Sequence, residues 1–285
     1  MFRLVPHHKK QILGERRWDY MNPDILVNIF ERLPLRELLY RVGYICRSWL
    51  SATLETLFPL GEMLDLRRLD SIKEPCFRIK ILIFLKIMLS RHPTTGWIKI
   101  YFPRYKLKEE AFVYIAQRSP SLRHIIFPRI ELTIHPFKAI SYWKDLREFS
   151  SGFYHVISVR TFKKLNTCCK HLCILDLYGR LGDEGASVIA TSFPKLRYLR
   201  LRHCVLSVDA LSIILDGHKN LLELDVRHTV CTDYKYLDFV EGKVRLKELK
   251  EEIHLKAAGI KEYLHCEGKL CPECGFRFNR GPASN

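Results

Sequence analysis

The sequence has no apolar run long enough to cross a membrane as a helix. Its most apolar stretch, residues 79–89, is interrupted by Lys80 and Lys86. A membrane-spanning helix needs about 20 consecutive, mostly apolar residues, roughly twice the length of this stretch. We therefore predict that residues 79–89 form a buried helix and that the protein has no membrane partner.

The ten cysteines form no compact framework, because they are scattered along the chain. No apolar run near the N-terminus is followed by the small residues of a secretory cleavage site. Small secreted proteins pair closely spaced cysteines in an oxidising compartment. The sequence therefore predicts a protein of a reducing compartment, the nucleus and/or the cytoplasm.

Motifs of catalysis are also missing, since the sequence contains no phosphate-binding loop, nucleophile elbow or paired catalytic motif. Acidic residues are scarce, with 31 Asp and Glu against 47 Lys and Arg, which gives a formal charge of +16. Hydrophobic residues make up 47% of the chain, which is enough for a packed core. These features predict a folded protein that is not an enzyme. Its charge suits an acidic, phosphorylated or nucleic-acid partner.

A helix is predicted to begin at Asn22-Pro23-Asp24. Asn can accept a hydrogen bond as N-cap, Pro needs no donor in the first turn, and Asp suits the positive end of the helix dipole. Two further helical stretches follow Leu33-Pro34. The broad apolar face of the first helix consists of Ile25, Leu26, Ile29, Phe30 and Leu33. Three helices in roughly 40 residues bury too little surface for so many large side chains, so part of their apolar surface packs onto the following domain or a partner protein.

The residues of these helices keep the spacing of a known module. The matching residues are Pro23-Asp24-Ile25-Leu26, Ile29-Phe30, Leu33-Pro34, Glu37-Leu38, Val42 and Cys46-Arg47-Ser48-Trp49. Over residues 23–49 the sequence resembles the F-box, which in its family docks on a Skp-type adaptor joined to a cullin scaffold. The resemblance implies adaptor-docking or module-core roles for Pro23, Ile25, Leu26, Ile29, Phe30, Leu33, Pro34, Val42, Cys46 and Trp49.

Two positions depart from the F-box pattern. Asn22 stands where the family usually has Leu, and Gly43 lies within the predicted third helical stretch. A glycine in a helix interior costs about 1 kcal/mol relative to alanine. Both departures are expected to weaken docking.

From residue 97 onward one motif recurs: an apolar residue, two positions, an apolar residue, one position and a third apolar residue. Its instances begin at Trp97, Leu122, Leu146, Leu172, Leu196 and Leu221. These starts differ by 25, 24, 26, 24 and 25 residues, a period within the range of leucine-rich repeats. Helix-like segments lie between them, at residues 109–117, 183–192 and 207–217. The sequence therefore predicts an α/β fold, in which a solenoid with a concave parallel sheet and outer helices follows the helical F-box.

Residues 173–193 resemble the cysteine-containing leucine-rich repeat that is common in F-box proteins, and Cys204 occupies the cysteine position of that repeat. The repeat cysteines are predicted to be small buried hydrophobes. The chain thus resembles plant-like F-box/leucine-rich-repeat proteins, which implies a substrate-recognition subunit of a Skp-cullin-F-box ubiquitin ligase. The predicted organisation is a basic tail (1–17), the F-box (18–58), the repeats (59–231), capping helices (232–264) and a Cys-containing tail (265–285).

A target protein is predicted to bind the concave face, where the side chains between the apolar strand positions form rows. Arg200 lies between Asp176 and Asp225 in its row, which predicts a self-neutralising ion-pair ladder. Arg202 and Arg227 have no acidic neighbour in their row, so they either extend into water or pair with a carboxylate or phosphate of the target. The predicted target-binding residues are Tyr178, Tyr198, Arg200, Arg202 and Arg227.

The C-terminal tail contains Cys271-Pro272-Glu273-Cys274, whose spacing is that of half a tetrahedral zinc site. Cys266, together with His254 or His265, would complete such a site. The alternative is a reduced thiol pair without a metal, because a second Cys-x-x-Cys motif is absent. The candidate zinc ligands are therefore Cys266, Cys271 and Cys274, and no other cofactor is predicted.

The predicted function is a non-catalytic adaptor that brings a target protein, acidic or phosphorylated, to a ubiquitin ligase. Two alternatives stay open, a leucine-rich-repeat scaffold without a ligase role and a nucleic-acid-binding repeat protein. The acidic residues in the concave rows count against the nucleic-acid alternative, because phosphate contacts depend on unopposed positive charge.

Overall fold

The computed structural model describes residues 18–59, 61–71, 85–87, 89–90, 97–104, 107–127, 137–156, 159–232, 243–245 and 251–266. Among them, no helix combines the length and the apolar character needed to cross a membrane. The chain divides into two compact units, Met1–Leu60 and Gly61–Asn285. The predicted basic tail at residues 1–17 lies outside the described residues.

The first unit is helical. Its α-helices are α1 Pro23–Phe30, α2 Leu35–Tyr40 and α3 Arg47–Leu57, and its 3-10 helices are Trp18–Tyr20 and Val42–Tyr44. The predicted start of α1 is confirmed, because Asn22 is its N-cap and its Oδ1 accepts a hydrogen bond from the backbone N–H of Asp24 at 2.8 Å. Helix α1 packs on α3, where the rings of Phe30 and Trp49 meet edge to face at 5.3 Å.

Gly43 lies in the short 3-10 helix Val42–Tyr44 and not inside an α-helix. The predicted cost of a glycine in a helix interior is therefore wrong for this position. A Cβ on Gly43 would lie 3.4 Å from the carbonyl oxygen of Leu38 and 3.4 Å from Cδ1 of Leu50. These are ordinary van der Waals distances, so an alanine at position 43 would fit beside α2 and α3.

The second unit is built on a mainly parallel sheet. Its strands are β1 Met63–Asp65, β2 Lys99–Tyr101, β3 His124–Ile126, β4 Glu148–Val156, β5 Ile174–Arg180, β6 Tyr198–Arg200, β7 Val205–Ser207, β8 Glu223–Asp225, β9 Val230–Thr232, β10 Lys243–Arg245 and β11 Glu262–Leu264. The main path runs β1-β2-β3-β4-β5-β6-β8-β11 through parallel pairs. Strand β7 pairs in parallel with β5 and β9, and β10 pairs with β9 in antiparallel fashion.

Helices connect successive strands of the sheet. They are the α-helices α4 Glu109–Arg118, α5 Val159–Cys168, α6 Asp183–Ser192, α7 Val208–Gly217 and α8 Glu251–Ala257, with 3-10 helices at Leu66–Ser71 and Ala139–Tyr142. Successive helices pack on one another, α5 on α6, α6 on α7 and α7 on α8. The predicted α/β solenoid is confirmed.

The period of the sequence explains the register of the sheet. Lys99, His124, Glu148, Ile174, Tyr198 and Glu223 lie side by side in successive strands. The next residue of each strand points into the core, where Ile100, Ile125, Phe149, Leu175, Leu199 and Leu224 are each at most 1% exposed. The predicted N-cap of α7 is also confirmed, since Ser207 Oγ accepts a hydrogen bond from the N–H of Ala210 at 2.8 Å.

Two regions refine the sequence predictions. Residues 79–84 lie outside the described residues, whereas Leu85 and Leu89 are helical and fully buried. Residues 232–264, predicted to form capping helices, contain α8 but also the strands β10 and β11. Strand β11 extends the parallel sheet beyond β8, with Glu262 beside Glu223. The structure therefore adds a strand at the end of the solenoid that the periodic motif does not reveal.

Candidate protein-interaction surfaces

Helix α1 has a buried face and an exposed apolar face. Leu26 and Phe30 are 1% exposed and form the core of the unit, whereas Ile25 and Ile29 are 51% and 40% exposed. Because Ile25 and Ile29 are four residues apart, they lie on the same side of the helix. The exposed pair is a surface that a partner protein can cover.

The ten residues predicted for adaptor docking fall into three groups of exposure. The exposed residues are Pro23, Ile25, Ile29 and Pro34. The buried residues are Leu26, Phe30 and Val42, and the half-buried residues are Leu33, Cys46 and Trp49. The indole N–H of Trp49 donates a hydrogen bond to the carbonyl of Trp18 at 3.1 Å, so this ring also holds the start of the unit. The predicted set thus combines a candidate docking surface with the core that supports it.

Sequence reasoning missed other exposed apolar side chains of this unit. Tyr20 and Tyr44 are each 73% exposed, Ile45 is 61% exposed and Trp18 is 49% exposed. The signal in the sequence was their position outside the helical apolar pattern, directly before α1 and between α2 and α3. These residues enlarge the apolar surface that is open to a partner.

The concave rows run along β1 to β6 and β8 and the residues that directly follow these strands. They carry five carboxylates and five Lys or Arg residues. The carboxylates are Asp65, Glu148, Asp176, Glu223 and Asp225. The Lys and Arg residues are Arg67, Lys99, Arg200, Arg202 and Arg227. Over these positions the formal charges balance, and Arg180 of β5 and Glu262 of β11 add one charge of each sign.

Arg200 pairs with the neighbouring strand, but with a different carboxylate from the one predicted. Its Nε lies 2.7 Å from Oε1 of Glu223 and its Nη2 lies 3.1 Å from Oε2. This bidentate hydrogen bond raises the pKa of Arg200, and the charges of Glu223 and Asp176 act in the same direction. The predicted ladder between Arg200 and its row neighbours Asp176 and Asp225 is therefore replaced by a diagonal pair.

Arg202 and Arg227 were predicted to extend into water or to pair with the target, because their own row holds no carboxylate, but both contact carboxylates of the preceding row. Arg202 lies 3.6 Å from a carboxylate oxygen of Asp176 and 3.5 Å from one of Asp225. Arg227 donates to Asp225 from Nε at 2.9 Å, from Nη2 at 2.7 Å and from its backbone N–H at 3.1 Å. Both arginines reach back to the carboxylates of the preceding row, so their charges are already matched within the protein.

Asp225 is the centre of this network and is 2% exposed. Burial opposes its ionisation, but the hydrogen bonds from Arg227 and the charges of Arg227 and Arg202 outweigh burial and hold its pKa below the ordinary value. Asp65 and Arg67 repeat the same geometry in β1, with Nε to Oδ1 at 2.9 Å and Nη2 to Oδ2 at 2.6 Å. The hydrogen bond from Arg67 lowers the pKa of Asp65 as well.

The row that contains Arg202 and Arg227 also contains Tyr178 of β5, and His203 and His228 directly follow the two arginines in the chain. Tyr178, a predicted target-binding residue, is half-buried, and its ring centre lies 5.8 Å from that of His203. His203 stacks on His228 at 4.7 Å, and both histidines have a φ of 59°. Left-handed backbone is uncommon outside glycine, and histidine is among the residues enriched there. Tyr198, the other predicted aromatic contact, is also half-buried.

Of the repeat cysteines predicted to be buried, Cys204 behaves as predicted, whereas Cys173 is only half-buried. Cys204 is fully buried, and its thiol donates a hydrogen bond to the carbonyl of Leu177 at 3.3 Å. One repeat further along, the hydroxyl of Thr229 donates to the carbonyl of Leu201 at 2.5 Å. Each side chain therefore joins the turn after one strand to the end of the preceding strand.

Cys271 and Cys274, two of the three predicted zinc ligands, lie outside the described residues. Cys266 is described, and its Sγ lies 3.4 Å from Nδ1 of His228 and accepts a hydrogen bond from the His228 backbone N–H at 3.1 Å. Within the described part of the chain, no group of three His, Cys, Asp or Glu side chains is arranged to hold a metal ion.

Among the proteins similar to this chain are three from Arabidopsis thaliana. An F-box/LRR-repeat protein is 28% identical over 274 residues, which cover 91% of this chain and 87% of that protein. F-box/LRR-repeat protein 22 is 30% identical over 220 residues, covering 74% of this chain and 68% of that protein. F-box protein SKIP19 is 27% identical over 214 residues, with the same two coverages of 74% and 68%. No family model matches the chain.

Proposed function

This chain belongs to the F-box/leucine-rich-repeat family, and we propose that it is the substrate-recognition adaptor of a Skp-cullin-F-box ubiquitin ligase. The F-box binds a Skp-type adaptor and, through it, a cullin scaffold. The leucine-rich repeats bind the target protein. The chain itself contributes binding surfaces and no catalytic group.

The exposed apolar side of α1 carries this proposal. Ile25 and Ile29 are about half exposed beside a well-packed core that includes Leu26 and Phe30. Full burial of an isoleucine side chain contributes about 1.5 to 3 kcal/mol, so covering the exposed part of each would contribute roughly 1 kcal/mol. Four of the predicted docking residues are exposed, which supports a partner surface on this unit.

The concave face suits recognition by shape, hydrogen bonds and aromatic contact. Its arginines contact carboxylates of the same face, and Lys99 lies over the ring of Tyr101, so a target gains little from net charge there. Tyr178 and Tyr198 supply half-buried rings with polar hydroxyl groups, a type of side chain that is enriched at protein interfaces. The target segment that contacts this face is therefore expected to be largely uncharged.

Co-purification with a Skp-type adaptor tests the ligase role. Phe30 is buried against Trp49, so a charge at position 30 would unfold the unit and give an ambiguous result. The test variant is therefore Ile29→Asp, and the control is Ser51→Asp, because position 51 is an exposed helical position in α3. The native chain and the control are expected to retain the adaptor, and Ile29→Asp is expected to lose it.

Thermal unfolding of both variants shows whether they stay folded. A native chain that fails to retain any Skp-type adaptor would refute the ligase role and leave a leucine-rich-repeat scaffold. Equal retention of the adaptor by Ile29→Asp and Ser51→Asp would refute the assignment of the α1 surface.

A zinc ion in the C-terminal tail is a separate proposal. The spacing of Cys271 and Cys274 and the contact of Cys266 with the His228 ring support it. Zinc–sulfur and zinc–nitrogen bonds of about 2.3 and 2.0 Å place tetrahedral ligands roughly 3.5 Å apart, close to the separation of those two atoms. Metal analysis of the purified chain should give one zinc per chain, with loss in a Cys271→Ser, Cys274→Ser variant. A metal-free native chain would remove the proposal.

A further inference from the structure

One edge of the solenoid collects positive charge. It is formed by the four residues that precede each of the strands β3 to β6, namely residues 120–123, 144–147, 170–173 and 194–197, and we call it the strand-start edge. Its sixteen residues contain six Lys or Arg side chains, one His and one Asp. The six cationic residues are Arg123, Lys144, Arg147, Lys170, Lys195 and Arg197, and all six are exposed.

Backbone hydrogen bonds place these positions side by side. The N–H of Arg147 donates to the carbonyl of Arg123 at 2.8 Å, and the N–H of Cys173 donates to that of Arg147 at 2.9 Å. The N–H of Arg197 donates to the carbonyl of Cys173 at 2.9 Å. Residues in neighbouring parallel strands lie about 4.8 Å apart, so the edge extends about 14 Å from β3 to β6. An extended peptide covers that distance with four or five residues.

The positive charge of this edge is not matched within the described residues. Among the residues that the structure describes, none of its six Lys or Arg side chains lies within 4.0 Å of a carboxylate, and Lys195 approaches the ring of His171 at 3.4 Å. Arg197 donates to the backbone carbonyl of Asn220 at 2.9 Å. The concave face differs in this respect, because Arg200, Arg202 and Arg227 all contact carboxylates.

A shallow depression lies on the same edge between the Ala139–Tyr142 turn and the end of α5. Its volume is about 540 Å³, and its lining includes Lys144, Lys164, Lys170, His171, Thr167 and Asp145. Three ammonium groups and a hydroxyl group around one concavity can donate hydrogen bonds to anionic oxygens. Asp145 contributes the only carboxylate of the lining.

The helix dipole explains only part of this arrangement. A lysine close to a helix C-terminus is favourable, which accounts for Lys170 two residues after α5. The arginines at 123, 147 and 197 stand at strand starts, where helix dipoles give no reason for a cation. Their repetition in three of four neighbouring positions, next to a basic depression, indicates a binding surface.

We propose that the strand-start edge binds a short anionic peptide segment of a partner protein, rich in Asp and Glu or in phosphoserine. A peptide fits the 14 Å length of the edge, as estimated from the strand spacing. Single-stranded nucleic acid is less well matched, because such sites stack successive bases on aromatic side chains along the strand. The sixteen residues include no Phe, Tyr or Trp, and the exposed rings of Phe137 and Tyr142 lie at the depression alone. This inference rests on the proposed function in one respect, which is the assignment of the anionic segment to the target protein.

The test measures binding of fluorescein-labelled ten-residue peptides to the full chain at about 0.1 M salt. One peptide carries two phosphoserines, a second carries four glutamates, and a third is an uncharged Ser/Gly peptide. A ten-nucleotide uridine RNA is the fourth probe. The variant Lys144→Glu, Lys170→Glu reverses the charge of the depression.

A second double variant, Lys108→Glu, Arg160→Glu, is the matched control. Both pairs lower the formal charge from +16 by the same four charges, and both control residues are exposed. Lys108 directly precedes α4, and Arg160 lies in the first turn of α5. Both residues are therefore at the N-terminal ends of ten-residue helices whose C-terminal ends lead to the strand-start edge. A helix of that length spans about 15 Å, more than the Debye length of about 10 Å at this salt concentration.

Binding of either anionic peptide, with at least tenfold loss in the test variant and less than threefold loss in the control, would support the proposal. Preference for the phosphoserine peptide would assign the site to phosphate, and equal binding would assign it to carboxylates as well. Three results would overturn it: no anionic peptide binds better than the uncharged one, both variants weaken binding equally, or the RNA binds more tightly than either peptide. Adaptor co-purification uses none of these residues, so the two proposals fail separately.

Discussion

The guanidinium group of Arg227 is held by the carboxylate of Asp225, which accepts hydrogen bonds from Nε at 2.9 Å and from Nη2 at 2.7 Å. The two residues are separated by a single position in the chain, at the end of β8. Arg202 from the preceding repeat approaches the same carboxylate at 3.5 Å. One buried acid therefore fixes two arginines that would otherwise be open to a target.

Asp225→Asn is expected to destabilise the solenoid by about 3 kcal/mol at pH 7, because it leaves Arg227 without its buried carboxylate and Arg202 with Asp176 alone. Asp65→Asn is the control, since it breaks the same geometry where the carboxylate side chain is 26% exposed and not 2%. The control is expected to lose about 1 kcal/mol or less. Urea unfolding of both variants measures the difference, and equal losses would contradict the role given to burial.

The same aspartate predicts a dependence of stability on acid. The pKa of Asp225 is lower in the folded state than in the unfolded chain, so between the two values the unfolded state binds more protons. Its contribution is complete above the ordinary value of 3.8 and disappears as the pH falls through the lower folded pKa. The difference in urea midpoint between native protein and Asp225→Asn should therefore shrink from pH 7 to pH 3. A constant difference would argue against this linkage.

His218 predicts a second loss of stability on acidification, which begins at a higher pH than the loss from Asp225. It is 8% exposed, and its Nε2 donates to the carbonyl of Ile189 at 2.7 Å. Burial lowers the pKa of His218 despite this hydrogen bond, so the folded state favours the neutral ring. Stability from this residue is present above the unfolded value of 6.5 and is lost as the pH falls below it.

The variant His218→Phe removes this titration, and the equivalent position one repeat earlier is the buried Phe193. Between pH 7.5 and 5.5 the urea midpoint of the native protein should fall more than that of the variant. His171→Gln, at an exposed position, should leave the native fall unchanged. The same fall in His218→Phe as in the native protein would show that His218 titrates without effect on folding.

Gly217→Ala is expected to destabilise the solenoid by about 2 to 3 kcal/mol, the upper range for overpacking. A Cβ at position 217 would lie 2.5 Å from Cβ and 2.6 Å from the carbonyl oxygen of Ala190, so α6 and α7 would have to separate. Gly259→Ala is the control, because nothing lies within 4 Å of its added Cβ. Calorimetry should show a lower unfolding midpoint for Gly217→Ala and an unchanged midpoint for Gly259→Ala. A Gly217→Ala midpoint equal to that of the native protein would contradict the close contact.

Thr229 occupies the position in its repeat that Cys204 occupies in the preceding repeat. The variant Thr229→Val tests its hydroxyl group. The change keeps the shape but removes the hydroxyl that donates to the Leu201 carbonyl. We expect a loss of about 1 kcal/mol, the usual net contribution of one hydrogen bond. Thr229→Ser keeps the donor at the cost of one methyl group. A Thr229→Val variant as stable as the native protein would assign no stabilising role to this hydrogen bond.

The sequence by itself determined the solenoid and its register. A period of 24 to 26 residues repeats the same apolar positions, and equal spacing brings equivalent residues side by side when the units stack. Local chemistry also sufficed for the starts of α1 and α7, because an N-cap such as Asn22 or Ser207 acts within three residues of the chain.

The tertiary structure alone decided which charges are available and which glycines matter. Arg202 reaches Asp225 across neighbouring strands and Arg227 reaches it along its own strand, so long side chains span rows that a one-dimensional pattern treats as separate. Gly217 lets α6 and α7 approach closely, whereas an added Cβ at Gly43 would make only ordinary contacts. The exposed Ile25 and the buried Leu26 are adjacent in sequence, and only the docking of α1 on α3 separates their roles. The physical reason is the same in each case: contact depends on where the side chain points after the elements have packed.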